Sequence, residues 1–228
     1  MEPCGASRSS VLIRWATAED MDATARTHMT LLPQGLFPAL GRSFMRRWHR
    51  AALASPHVVF LVAVDRSANG GVAGFLLGST DHDAHTRAVL GNRRSLALLL
   101  LQGALSLMMR PALLLRFARS RAVPWTKRIL GSSRPVADPD GVAPRVAVLS
   151  DLAVRDTLRG QGAGAALVRE FAAQCRQAGA SSAELVIFSD NSSAARFYEH
   201  LGWTPVSELA TRDHGKVRLY RTQLNARS

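Results

Sequence analysis

Arg159-Gly160-Gln161-Gly162-Ala163-Gly164 joins an apolar run, Val146 to Val154, to a segment with helical spacing of Leu167, Phe171 and Cys175. A strand, then glycines, then a helix start is an arrangement that binds anionic oxygens. The first amides of a helix lack intrahelical acceptors, and the dipole places partial positive charge at that end. Three readings of the stretch compete. The glycines can make a tight turn and nothing more. Gly160-Gln161-Gly162-Ala163-Gly164-Ala165 also fits the G-x-G-x-x-G/A dinucleotide fingerprint, with Glu184 about 20 residues further on, as that motif asks. A dinucleotide fold, however, needs several further βαβ units after the motif, and the remaining chain holds one and a hairpin. The third reading is a pyrophosphate loop of the form Arg/Gln-x-x-Gly-x-Gly/Ala.

Working outward, Glu184 to Phe188 reads as a strand and Ser192 to Leu201 as a helix stopped by Gly202. Trp203 to Leu209 and Val217 to Leu224 read as closing strands. Upstream, Val11 to Trp15 is a first strand. Thr17-Ala18-Glu19-Asp20 opens a helix that carries Met21, Ala25, His28 and Met29 and stops before Pro33. Leu40 to Ala54 reads as one helix with Leu40, Phe44, Trp48, Ala51 and Ala52 on its buried stripe. His57 to Val64 and Val72 to Gly78 form a hairpin, and Gly74 and Gly78 in the second strand predict a bulge or a close backbone approach.

Two sequence runs, in order, carry a family resemblance. Leu152-Ala153-Val154 leads through four residues to Arg159-Gly160-Gln161-Gly162-Ala163-Gly164-Ala165-Ala166-Leu167. Downstream stands Asp190-Asn191-Ser192-Ser193-Ala194-Ala195-Arg196-Phe197-Tyr198-Glu199-His200-Leu201-Gly202-Trp203. Together they resemble the GNAT superfamily of N-acetyltransferases. The resemblance covers essentially the whole chain except residues 84–145. It implies an α/β fold whose mixed sheet splays at its centre, flanked by helices. It also implies an acyl-CoA donor, most readily acetyl-CoA, whose acyl group passes to a primary amine by direct attack.

Carried over by position, the resemblance implies that Leu152, Ala153 and Val154 offer backbone to the pantetheine arm. Gly160, Gln161, Gly162, Ala163 and Gly164 would bind the pyrophosphate through their amides, with Arg159 adding charge. Asn191 would contact the donor where the strands diverge, and Tyr198 would protonate the departing thiolate. The chemistry agrees: a leaving sulfur needs a proton, and a phenol with an ordinary pKa near ~10 can supply it. The base is the point of departure, because Val148 stands about where many members carry a glutamate. Asp151 is taken as the base. Ser150, His28, Asp81, His82, Asp83 and a chain of waters remain open beside it.

The formal charge of +12 is local. Residues 84–134 hold ten basic residues and no acid, whereas only two of the 29 basic residues in the chain, Lys127 and Lys216, are lysine. The same segment holds a leucine-rich helix from Ser95 to Met109, with a second piece beyond Pro111 and an irregular return to about residue 145. Fifteen residues are too few to span a bilayer, which takes ~20. Leucines flanked by arginines fit a helix lying on an anionic membrane surface. Core extension or a homodimer interface is the competing reading. Nucleic-acid binding ranks last, since the segment lacks interleaved aromatics.

The expectation is therefore one domain over residues 1–228 with a helical insertion at 84–145. Cys4 and Cys175 form no disulfide framework and no metal-ligand pattern, which points to a reducing cytoplasm, with peripheral contact at the inner face of the membrane. The acceptor is expected to be lipid-linked or membrane-proximal. A non-catalytic module that binds acyl-CoA or membrane is the alternative, and a dinucleotide-binding enzyme ranks below it.

Overall fold

The computed structural model describes residues 11–34, 36–67, 70–108, 145–211 and 215–224. The helical piece expected after Pro111, the irregular return and the basic residues from Arg110 to Arg134 lie outside them. Seven strands form one sheet, β1 (Val11–Trp15), β2 (Val58–Asp65), β3 (Gly71–Ser79), β4 (Val146–Val154), β5 (Ser182–Phe188), β6 (Thr204–Thr211) and β7 (Gly215–Gln223). Their order is β1-β2-β3-β4-β5-β7-β6, and all neighbours are antiparallel except β4 and β5.

Helices cover both faces. One face is packed by α1 (Met21–Leu31), preceded by a 3-10 turn at Ala18–Asp20, and α3 (Arg42–Leu53), with the short α2 (Leu36–Ala39) between them. Their side of the core is Phe60, Val62, Val64, Phe75 and Leu77 against Met21 and Ala52. The other face is covered by α6 (Ala163–Gln177), whose Leu167, Phe171 and Cys175 meet Val59, Leu61, Ala63 and Leu76. Alternation along β2 supplies both cores, as a strand covered on two sides requires. α4 (His82–Gly91) and α5 (Arg93–Met108) follow β3, and α7 (Ser192–His200) precedes β6.

Local chemistry explains the element starts. The Asp20 carboxylate accepts from the Thr17 backbone N–H at 2.8 Å and from its hydroxyl at 3.1 Å, and Arg14 closes on it at 2.6 Å. These bonds fix the turn that launches α1.

Three expectations change. The helix expected over Leu40 to Ala54 starts only at Arg42, because Gly41 sits at φ 99° and leaves Leu40 in a turn. Within it, Met45 and His49 are fully buried while Trp48 is only half-buried. The insertion expected to be helical holds a further helix ahead of the leucine-rich one, at residues 82–91, whose Asp81 cap accepts from the Ala84 N–H at 2.9 Å. The leucine-rich helix begins at Arg93, two residues early.

The glycines of β3 do produce both effects anticipated for them. A Cβ on Gly78 would lie 2.6 Å from the Phe171 ring and 2.7 Å from the Val148 carbonyl. Register with β4 also shifts there: Leu77 pairs with Asp151 but Gly78 with Leu149, so Ser150 is an extra residue.

Candidate active site

The sheet opens between β4 and β5. Their pairing runs from Val146 opposite Ser182 to Leu149 opposite Leu185 and then stops. Beyond it, Ser150–Val154 face a gap on one edge while β3 holds the other edge, and Val186–Phe188 pair with β7 on their far side. A cleft of about 380 Å³ fills the opening. It is lined by Leu149, Ser150, Asp151 and Leu152 from β4, and by Leu185 to Phe188 from β5. His28, Leu32, Gln34, Asn191, Ala194, Tyr198 and Val217 complete the wall.

The glycine stretch stands at the end of β4. A 3-10 turn, Asp156–Leu158, anchors it by burying Leu158. Gly162 at φ 80° is the residue before α6, a left-handed conformation that a side chain would strain. No atom comes within 4 Å of a Cβ built at Gly160 or Gly162, so space lies open over both. A Cβ on Gly164, by contrast, would reach 3.3 Å from the Phe197 ring, so α6 and α7 pack closely at that residue. The two sequence motifs therefore touch. Arg159 is exposed, with its guanidinium 2.8 Å from Asp156 and its Nε donating to the Val154 carbonyl at 3.3 Å. Gln161 Nε2 donates to the Thr157 carbonyl at 2.7 Å.

Asn191 caps α7 by accepting from the Ala194 N–H at 3.0 Å. That cap points the helix start, and with it Tyr198 two turns on, toward the cleft. Tyr198 is packed edge-on between Phe197 and Trp203, with ring centroids 5.0 and 5.9 Å away. Burial, reinforced by the nearby Asp151 carboxylate, pushes its phenol well above the usual range, so it holds its proton. Glu184, which the dinucleotide fingerprint would need for a ribose, is engaged by Arg221 at 2.9 Å instead.

Asp151 faces the α1 side. Ala147 and Leu149 pack with the α6 core, whereas Ala153 packs with the α1 core, so the strand changes parity at the Ser150 bulge. The carboxyl is about a quarter exposed and lines the cleft, and desolvation by the surrounding protein pushes it up to about 7. His28 Nε2 is 3.9 Å from its Oδ1. Of the other base candidates, Asp81 is occupied as the cap of α4, and neither His82 nor Asp83 lines the cleft.

His49 went unread at the sequence level. It lies on α3, its Nε2 3.2 Å from His28 Nδ1 and its Nδ1 3.0 Å from Thr24 Oγ1. A histidine one residue from an apolar stripe carries no signal by itself. Only the packing of α1 on α3 brings the two rings together.

Residues 111–203 match the model of the acetyltransferase (GNAT) family. No curated protein matches the chain in sequence. Among solved structures, the chain is similar to Arabidopsis thaliana NAA60 in complex with acetyl-CoA, at 14% identity and a TM-score of 0.59 over 95% of this chain and 99% of that one. It is also similar to the ribosomal-protein-S18-alanine N-acetyltransferase of Escherichia coli, at 12% identity and 0.54 over 96% of each chain. A GCN5-related N-acetyltransferase from Kribbella flavida gives 15% and 0.55 over 95% and 99%. At such identities the likeness is one of fold.

Proposed function

We propose that the chain is a member of the GNAT acetyltransferase family, whose model residues 111–203 match, and that the β4–β5 cleft transfers an acetyl group from acetyl-CoA to a primary amine. The observation that carries this is the sheet opening itself. An unpaired strand edge, the Asp151 carboxyl and the buried Tyr198 phenol share one cavity, and a glycine-led helix start follows the same strand.

The donor fits this chain's residues. The free edge of Leu152, Ala153 and Val154 offers amide and carbonyl groups to a pantetheine arm, in the manner of an added strand. The open space above Gly160 and Gly162, with the first amides of α6, suits a pyrophosphate, and Arg159 adds positive charge. Asn191 stands at the mouth, where the arm enters.

Asp151 then takes a proton from the acceptor ammonium. The freed amine attacks the thioester carbonyl, and an N–H from β4 holds the oxyanion. As the C–N bond forms and the C–S bond breaks, the attacking nitrogen releases its second proton to solvent in the cleft, and Tyr198 gives its proton to the leaving thiolate and later regains one from solvent. A carboxyl titrating near 7 is matched to base work at neutral pH. A thermal-shift comparison of acetyl-CoA with NAD, followed by coenzyme A release across an amine panel, tests the reading. Stabilisation by NAD alone overturns it.

A membrane-proximal acceptor is favoured by one observation. On α5 the stripe Leu96, Leu99, Gly103 and Ser106 turns inward; Gly103 lies against Phe44, and Arg47 donates to Gln102 at 2.7 Å. The stripe Leu98, Leu101, Leu105 and Met108 is apolar and exposed, and Met108 is 74% accessible. A helix apolar on both sides seeks a second surface. Arginines at its start, Arg93 and Arg94, complement anionic headgroups. No helix among the described residues is long and apolar enough to cross a membrane, so the contact proposed is peripheral. Flotation with anionic vesicles should recover the wild type and lose a Leu98→Gln, Leu101→Gln, Leu105→Gln variant. Equal recovery, with dimerisation that the variant abolishes, would assign the face to a second copy instead.

A further inference from the structure

Four polar side chains run in line from the cleft into the interior between α1 and α3. His28 Nε2 faces Asp151 Oδ1 at 3.9 Å, His28 Nδ1 meets His49 Nε2 at 3.2 Å, and His49 Nδ1 meets Thr24 Oγ1 at 3.0 Å. Thr24 Oγ1 ends the line by donating to the Met21 carbonyl at 3.3 Å. Thr24 and His49 are wholly buried, and Phe60 and Phe75 pack against the histidines. Polar groups at such depth persist only when each finds a partner, and here they partner one another.

The line has a direction. Burial holds both rings neutral, lowering His28 to about 4 and His49, which also feels His28, to about 3. A neutral imidazole has one N–H and one lone pair. With the Thr24 hydroxyl donating to Met21, its oxygen accepts from His49 Nδ1–H. His49 Nε2 must then accept from His28 Nδ1–H, and the only free position left on His28 is the lone pair of Nε2. That lone pair points at Asp151. A carboxylate gains nothing from facing it, whereas a carboxylic acid can donate to it, directly after a small approach or through one water.

Resting on the reading of Asp151 as the base, we propose that Thr24, His49 and His28 are positioning residues that present a fixed hydrogen-bond acceptor to the protonated form of Asp151. As Asp151 takes the proton of the acceptor ammonium, its new O–H turns to His28 Nε2. The protonated base is thereby stabilised as it forms, and no charge enters the core. The other titratable group facing Asp151 does not interrupt the line: Tyr198 of α7 stays protonated.

Thr24→Val and Thr24→Ser separate this role from simple packing, because valine keeps the shape of threonine and serine keeps its hydroxyl. With valine, His49 loses its Nδ1–H acceptor and the tautomers are released. His28 can then turn an N–H toward Asp151 and favour the carboxylate. The acid limb of kcat/KM should move down by roughly one pH unit, with the KM for acetyl-CoA unchanged, and serine should restore it. In the wild type, nitrogen NMR should find both histidines neutral and protonated on Nδ1 at pH 6. An acid limb that stays in place with valine, or Nε2–H tautomers in the wild type, overturns the proposal. Asp151→Asn distinguishes the two levels. If that variant keeps both rate and acid limb, the base assignment itself falls. If it loses them while Thr24→Val behaves as wild type, only the hydrogen-bonded line falls.

Discussion

Asp151 pairs with Leu77 across the β3–β4 ladder, one residue out of step with the pairing of Gly78 and Leu149. The slip inserts Ser150 and reverses which face each later residue of β4 occupies. Had the strand run without it, Asp151 would share the face of Ala147 and Leu149 and point into the α6 core. The bulge turns it to the face of His28 and the cleft. It also puts Asp151 on the same face as Val148, the position where the family resemblance leads one to look for a glutamate. The carboxyl is thus supplied from the same face, one step further along the strand.

Replacing Asp151 by Asn should lower kcat by about 10²–10⁴-fold, the usual worth of a positioned base, and leave acetyl-CoA affinity within a few-fold. Wild-type activity should rise with pH through about 7, because the base role proposed for Asp151 requires its ionised form. Initial rates from pH 5.5 to 9, with calorimetric titration of the donor, check both points. A variant of unchanged rate removes Asp151 from the mechanism.

Tyr198→Phe keeps the ring between Phe197 and Trp203 and removes only the hydroxyl. Turnover should fall by roughly 10²-fold or more, with donor binding and melting temperature nearly unchanged. If the loss appears in donor affinity instead, the phenol is a binding group and not the proton donor.

Gly78→Ala should destabilise the fold by about 1–3 kcal/mol, because the added methyl would meet the Phe171 ring and a backbone carbonyl that cannot retreat. In a chain of this size each ~1 kcal/mol lowers the melting temperature by about 2–4 °C. Gly78→Ala combined with Phe171→Leu should recover part of the loss. No recovery would place the strain in the Val148 carbonyl contact alone.

Acid stability should report on His49. Its folded pKa, about 3, lies below the ordinary value of 6.5, so between these the unfolded chain binds more protons. The stability it confers is full above pH 6.5 and is lost as pH falls toward 3. His28 acts in the same sense down to about 4, whereas Asp151, raised to about 7, acts oppositely between 3.8 and 7. Against that background, His49→Gln should flatten the rise of melting temperature between pH 4 and 6.5. Parallel curves for variant and wild type would mean that His49 is not buried neutral.

Much of the fold was legible because its signals are local. An apolar run before the glycines placed β4 at Val146–Val154, and glycine chemistry placed the loop and the start of α6 within a residue. Helix α4 was not legible, since its sequence has no apolar stripe and none of its residues is buried. The break at Gly41 was hidden by the apolar spacing that runs through it. Tyr198 and Asn191 stood out through the pattern around them, and the structure brings both to the wall of the cleft. His49 had no such pattern.

What the sequence by itself determined is the order of strand, glycine loop and capped helix, because phosphate-binding geometry is made by adjacent residues and their backbone. Tertiary structure alone decided where the chemistry points. A single-residue bulge set the face of Asp151, and the packing of α1 on α3 joined Thr24, His28 and His49 across 25 residues of chain. Burial and hydrogen-bond partnership depend on every element that closes around a group, and no local spacing encodes them.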